Sequence, residues 1–150
     1  MQRFIGLAIL LVVIVFVVGH TVYTHVAESQ TIEVPFARGS SLTDAGKNAV
    51  AEAAQALRAD DGLGAVIEGH TGTNGDAAAN LALSEQRAET VADELRGLGI
   101  ASDRIQTTGL GGGSPLPRDA DESERNWQSR NSRVEIILKP AGDLADSLLK

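Results

Sequence analysis

The chain has no cysteine among its 150 residues. Disulfides and thiolate metal sites are thereby excluded, but the compartment is not fixed, because a domain of this size folds without a disulfide. Aromatic residues make up 3% of the sequence, with one Trp, one Tyr and three Phe. That is too few for a platform on which bases or sugars stack. Positive charge is also short: 13 Lys and Arg stand against 20 Asp and Glu, a formal net charge of -7. A nucleic-acid surface needs clustered positive charge, so the balance argues against one, and no nucleic-acid partner is expected. The three histidines, His20, His25 and His70, lack zinc-ligand spacing. The run Gly109–Pro115, GLGGGSP, lacks the lysine followed by Ser or Thr that a phosphate loop needs. No nucleophile–base pair is evident, and Ser40, Ser84 and Ser114 are explained by caps and turns. The expectation is a non-enzyme with no catalytic residues, no cofactor and no metal site.

What the sequence does have begins at the N-terminus. Phe4–Val18 is apolar apart from Gly6, and continuing through Tyr23 the run is 20 residues long. At roughly 1.5 Å per residue, such a helix matches the hydrocarbon thickness of a bilayer. It is apolar all round, which disfavours a buried helix of a soluble domain. Arg3 and the terminal amine precede it and Glu28 follows, so charge favours the N-terminus inside and the remainder outside. The run is read as a single-pass anchor through residues 4–23, with the domain facing the periplasm. The alternative is a cleaved signal peptide, which leaves the domain in the periplasm or at the outer membrane. His25 occupies a position where signal cleavage wants a small residue. The domain organisation expected is an anchor or signal segment at 1–27, a folded domain at 28–140 and a tail at 141–150.

Past the link, Thr31–Phe36 is β-branched and weakly alternating, the pattern of a first strand that Pro35 ends or places at an edge. Leu42 to Ala59 carries Leu42, Ala45, Ala49, Ala53, Ala56 and Leu57 at helical spacing, with Ser41 or Thr43 as cap and Asp60-Asp61-Gly62 as stop. Gly64–His70 is a second strand, Ala65 and Ile67 facing one way, Val66 and Glu68 the other. A glycine-interrupted turn, Thr71–Gly75, follows. Asp76–Ala82 reads as one helical turn or an irregular approach, and Ser84–Gly97 as a second long helix with Ser84 as N-cap. Its buried stripe is Ala88, Val91, Ala92 and Leu95. A third strand is centred on Arg104–Thr108. Leu110–Gln128 is long and polar, with three consecutive glycines, two prolines and a charge run, and a short helix at Asp121–Gln128. Trp127 is expected to pin that loop to the body. Ser132–Leu138 is strand four, Val134, Ile136 and Leu138 on one face, and Asp143–Lys150 a dispensable tail or frayed helix. The order predicts an α+β fold, βαβαβ(α)β. One four-stranded mixed sheet carries helices on one face, the hydrophobic helix precedes it, and βαβ steps place parallel strands side by side.

Chemistry concentrates between Glu68 and Leu95. His70, Thr71, Thr73, Asn74 and Gly75 lie at the carboxyl end of a strand, where α/β sheets keep ligand contacts. The same residues also suit a self-satisfied turn. Arg87 follows on a helix, where a guanidinium presents a fixed donor fork to a carboxylate. Alternatively it is a surface arginine paired with Glu85 or Glu89. Arg130 and Arg133 flank the start of strand four, where surface pairing is again the simple account. Asn131, an amide at a strand entrance, is suited to tying down the adjoining loop.

These residues occur in a familiar order. GHTGTNG at 69–75, N-x-x-LSEQRAETV at 80–91, GLGGGSP and NSRVEI at 131–136 resemble the OmpA-like carboxy-terminal domain, found also in the peptidoglycan-associated lipoprotein and in flagellar motor stator proteins. The resemblance spans about Thr31–Lys139. It implies an envelope domain that binds the diaminopimelate-containing peptide stem of peptidoglycan and tethers the wall to a membrane, with other envelope proteins as further partners. It also implies a ligand-binding set of Arg87, Thr71, Gly72, Thr73, Asn74, Asn80, Leu83, Asn131 and Arg133. Ser132 stands where the family usually has an arginine. The family's ligand-binding aspartate, fifteen residues before the arginine, falls on Gly72. The loss leaves a ligand ammonium without a carboxylate, so the alternative is a domain that has weakened or lost peptidoglycan binding. Asp76, in the same turn, is either a substitute carboxylate or a helix cap.

Overall fold

The computed structural model describes residues 29–37 and 39–144. The apolar run at 4–23, both ends of the expected anchor-or-signal segment and the chain after Leu144 lie outside the described residues. Among the described residues, no helix is long and apolar enough to cross a membrane.

Among the described residues, four strands and three helices alternate: β1 (Gln30–Val34), α1 (Asp44–Ala59), β2 (Leu63–His70), α2 (Ala77–Gly97), β3 (Ile105–Gly111), α3 (Glu124–Asn131) and β4 (Val134–Pro140). The sheet order is β1-β4-β2-β3. β2 and β3 are parallel, whereas β4 runs antiparallel to both of its neighbours, β1 and β2. The expected mixed four-stranded sheet is therefore present, with one correction. β1 and β2 do not lie side by side, because β4 inserts between them, so only the second βαβ step joins adjacent strands. The last strand finds a slot whose two walls offer it Ile32, Val34, Ala65 and Ile67, all buried.

Alternation along the strands sets the core. Val134, Ile136 and Leu138 face the helices as expected, packed with Val50, Ala53, Ala54 and Leu57 of α1 and Ala88, Val91, Ala92 and Leu95 of α2. The alanine faces let both helices approach closely. Two glycines bring α2 closer still. A Cβ at Gly69 of β2 would overlap the Ser84 carbonyl, and one at Gly109 of β3 would lie 2.7 Å from the Glu85 nitrogen.

Element limits shift by a few residues from those the sequence suggests, each time for a local reason. α1 starts at Asp44 because Thr43 caps it, its hydroxyl accepting from Gly46 N at 3.0 Å. Asp60 ends it and accepts from Gly62 N at 2.8 Å. Phe36 lies beyond β1 in an isolated bridge to Leu42. β3 runs on to Gly111, and the short helix sits later than expected, at Glu124–Asn131. The larger correction concerns α2. Ser84 is not its cap: the helix starts two turns earlier, at Ala77, because Asp76 Oδ1 accepts from Ala79 N at 2.8 Å and three alanines continue it. Asp76 is thus the cap. Ser84 is fully buried and links helix to sheet, donating to Leu81 O at 2.7 Å and accepting from Gly111 N at 2.9 Å. Leu144, in the stretch expected as tail, is also buried, its side chain filling the space above Gly64.

Candidate ligand-binding site

The turn after β2 is held by hydrogen bonds from within the domain. Thr71 N donates to Gly111 O at 2.9 Å, which ties the turn to the end of β3. Asn80, on the first turns of α2, donates through Nδ2 to Asn74 O at 2.9 Å. Gly75 takes a positive φ of 98°, a backbone state that glycine adopts without strain. Thr71 is buried, while Thr73 and Asn74 are exposed at the tip.

The α3 helix closes over this turn. Gln128 Oε1 accepts from Thr73 N at 2.7 Å, and its Nε2 donates to Thr73 Oγ1 and Glu124 Oε1, each at 2.7 Å. A Cβ at Gly72 would meet Gln128 Oε1. The carboxamide therefore occupies the space into which a side chain at 72 would project. The sequence singled out Gly72 but not Gln128, whose spacing from the turn, 55 residues, carries no signal.

Arg87 comes from the third turn of α2, on the face shared with Asn80 and Leu83. It is 7% exposed. Its Nε donates to Gly39 O and its Nη1 to Ser132 Oγ, both at 2.8 Å, and the guanidinium carbon sits 5.6 Å from the Phe36 ring centroid. Neither Glu85 nor Glu89 pairs with it. Glu89 instead meets Arg96 at 2.7 Å and the Thr107 hydroxyl at 3.2 Å. Among the described residues no carboxylate lies within ion-pair distance of Arg87, and burial lowers its pKa. A cation stripped of water and held only by neutral acceptors is a costly arrangement, relieved by an incoming anion. Ser132 and Gln128 are one helical turn apart at the end of α3, a rise of about 6 Å. The buried cation and the turn thus flank the same helix end.

The remaining expected residues divide. Asn131, 1% exposed, does tie down the loop: its Oδ1 accepts from Leu116 N and its Nδ2 donates to Trp127 O, each at 2.7 Å. Trp127 pins the same loop, donating from Nε1 to Leu116 O at 2.8 Å. Arg130 is a surface pair with Glu122 at 2.7 Å. Arg133 does not join Arg87. It is bound to Glu135 at 2.6 Å, on the sheet face turned away from the helices.

The family model of the OmpA family matches residues 36–129. The chain belongs to the OmpA family. Peptidoglycan-binding protein ArfA of Mycobacterium tuberculosis is 37% identical over 100 residues, covering 67% of this chain and 30% of that protein. Outer-membrane lipoprotein YfiB of Pseudomonas aeruginosa is 40% identical over 92 residues, 61% of this chain and 53% of that protein. The match therefore spans about a third to a half of these relatives. Among solved structures, the OmpA-like domain of FopA1 from Francisella tularensis superposes with a TM-score of 0.63 at 26% identity, covering 75% of this chain and 73% of that one. The peptidoglycan-associated lipoprotein from Burkholderia pseudomallei gives 0.61 at 25% identity, over 73% of this chain and 90% of that one.

Proposed function

We propose that this chain is a non-catalytic envelope protein whose domain binds the peptide stem of peptidoglycan, with Arg87 gripping a stem carboxylate. The carrying observation is Arg87 itself, a buried guanidinium with no acidic partner among the described residues. Relatives named for peptidoglycan binding or association, ArfA and the peptidoglycan-associated lipoproteins, support the ligand class. Thr71, Gly72, Thr73, Asn74, Asn80 and Leu83 form the rim, and Asn131 holds the loop beside it. In the same reading the apolar run at 4–23 anchors the protein in a membrane with the domain in the periplasm, so that the domain tethers wall to membrane.

Pull-down of the full chain with purified sacculi tests this. Arg87→Ala abolishes co-sedimentation; unchanged co-sedimentation sinks the assignment of Arg87.

A second reading rests on the Gly72–Gln128 pair. With a carboxamide in the place of a turn carboxylate, a ligand ammonium has no charged acceptor from residue 72. Loss of one charge-assisted bond weakens binding by about 1.5–3 kcal/mol, roughly ten- to a hundredfold. In that case the domain is an envelope interaction module with weakened or lost wall binding. Titration of the full chain with muropeptides separates the two: no saturation at millimolar ligand favours the second reading.

A further inference from the structure

We propose that Glu68, His70 and Glu135 form a binding site for a divalent transition-metal ion of the zinc class, on the sheet face turned away from the helices. The three residues each offer one ligand atom, and these atoms lie within 4.8 Å of one another. Glu68 and Glu135 are directly paired across β2 and β4. His70 follows Glu68 by two residues, so strand alternation puts it on the same face.

The observation that points to a ligand is the imidazole. His70 is 2% exposed, yet neither Nδ1 nor Nε2 has a hydrogen-bond partner. Buried polar atoms are nearly always satisfied, and one left bare is costly. The Glu68 Oε2 oxygen is 3.8 Å from Nε2, too far for a hydrogen bond and well placed to share an ion. Burial first, and Arg133 second, lower the His70 pKa below its usual 6.5. Imidazole binds metal in its neutral form.

Charge and access agree with this. Glu33 is the cross-strand partner of Glu135 on β1, so carboxylates from three adjacent strands line up across the sheet. Arg133 neutralises Glu135 through Oε1 at 2.6 Å, leaving Oε2 for a second partner. The Glu68 and Glu135 side chains are 31% and 23% exposed, which gives an ion an entrance. They close to the roughly 3.4 Å ligand separations of a tetrahedral site with bonds of about 2.0–2.2 Å. One imidazole with two carboxylates and an open position suits zinc and its neighbours better than magnesium, which prefers all-oxygen octahedra. Spacing along the chain could not reveal the set, because its third member comes from another strand. Its place, at the last residues of β2 before the Thr71–Gly75 turn, would lock the base of that turn to β4.

Calorimetric titration of the metal-stripped full chain with Zn2+ near neutral pH tests the site. The expected result is one ion bound with micromolar affinity and a raised melting temperature, with no comparable response to Mg2+. Glu68→Gln, at a partly exposed position that leaves the fold intact, weakens Zn2+ binding at least tenfold, and His70→Asn does the same. Absence of saturable one-to-one binding overturns the proposal. So does equal affinity in Glu68→Gln, which would assign the ion to His20, His25 or scattered surface carboxylates.

Discussion

Arg87 Nη1 donates to Ser132 Oγ at 2.8 Å, so the one buried cation on α2 is aimed by a hydroxyl just past the end of α3. Together with the Gly39 carbonyl on Nε, this fixes the plane of the guanidinium. A fork held in place loses less rotational freedom when it meets a carboxylate. Ser132→Ala keeps the charge but frees the fork. It should weaken muropeptide affinity about tenfold, in line with loss of one hydrogen bond to a charged group. Arg87→Lys retains a charge that cannot span both acceptors, and should be the weaker binder of the two. Equal affinity of Ser132→Ala and the native chain would show that the orientation of Arg87 is not used.

Gly72 and Gln128 must be changed together. A carboxylate introduced at 72 alone collides with the Gln128 carboxamide, which is itself latched to Thr73 and Glu124. Gly72→Asp should therefore gain little affinity, because the new side chain first has to break that latch. Gly72→Asp with Gln128→Ala clears the space and should bind muropeptide ten- to a hundredfold tighter than the native chain, about 1.5–3 kcal/mol. Calorimetry of the single and double variants decides this. A single variant that gains as much as the double would mean that Gln128 swings away freely.

The close approach of α2 to the sheet has its own signature in stability. Gly69→Ala places a methyl against the Ser84 carbonyl, which is helix backbone and cannot rotate away. Overpacking of this kind costs about 1–3 kcal/mol or more. Urea denaturation should show a lower midpoint with an unchanged slope, whereas Gly97→Ala, with open space around it, should not destabilise. A native midpoint for Gly69→Ala would mean that α2 shifts without cost.

The core and the α+β class were legible because alternation and helical spacing are local. Val134, Ile136 and Leu138 identified an inner face, and Ala88, Val91, Ala92 and Leu95 a helix stripe, without any knowledge of the partner element. Three features were not legible, and all depend on residues distant in sequence. The insertion of β4 between β1 and β2 follows from which strands can bury their faces together. Asp76 takes the cap role that the sequence already allowed it, whereas the place of Ser84 is set by β3, whose Gly111 N gives the Ser84 hydroxyl its second partner. Gln128, which fills the space above Gly72, lies on another helix. Arg87 could be singled out as a carboxylate donor fork, yet its lack of an acidic neighbour is a property of the fold.

The loop ahead of α3 should hold in mild acid. Arg130 hydrogen-bonds Glu122 through Nε and Nη2, each at 2.7 Å, and this guanidinium keeps the Glu122 carboxyl below its usual pKa of 4.5. A carboxyl whose folded pKa is depressed contributes stability in full above its unfolded value. That contribution is lost as pH falls through the lower folded pKa. Trp127 reports on the same loop through its bond to Leu116 O. Its fluorescence should stay constant as pH drops to about 4.5 and change only below that. Glu122→Gln removes the titrating group and the ion pair, so its emission should already differ at neutral pH and lose the acid transition. An identical acid profile in Glu122→Gln would mean that the Arg130–Glu122 pair does not govern the loop.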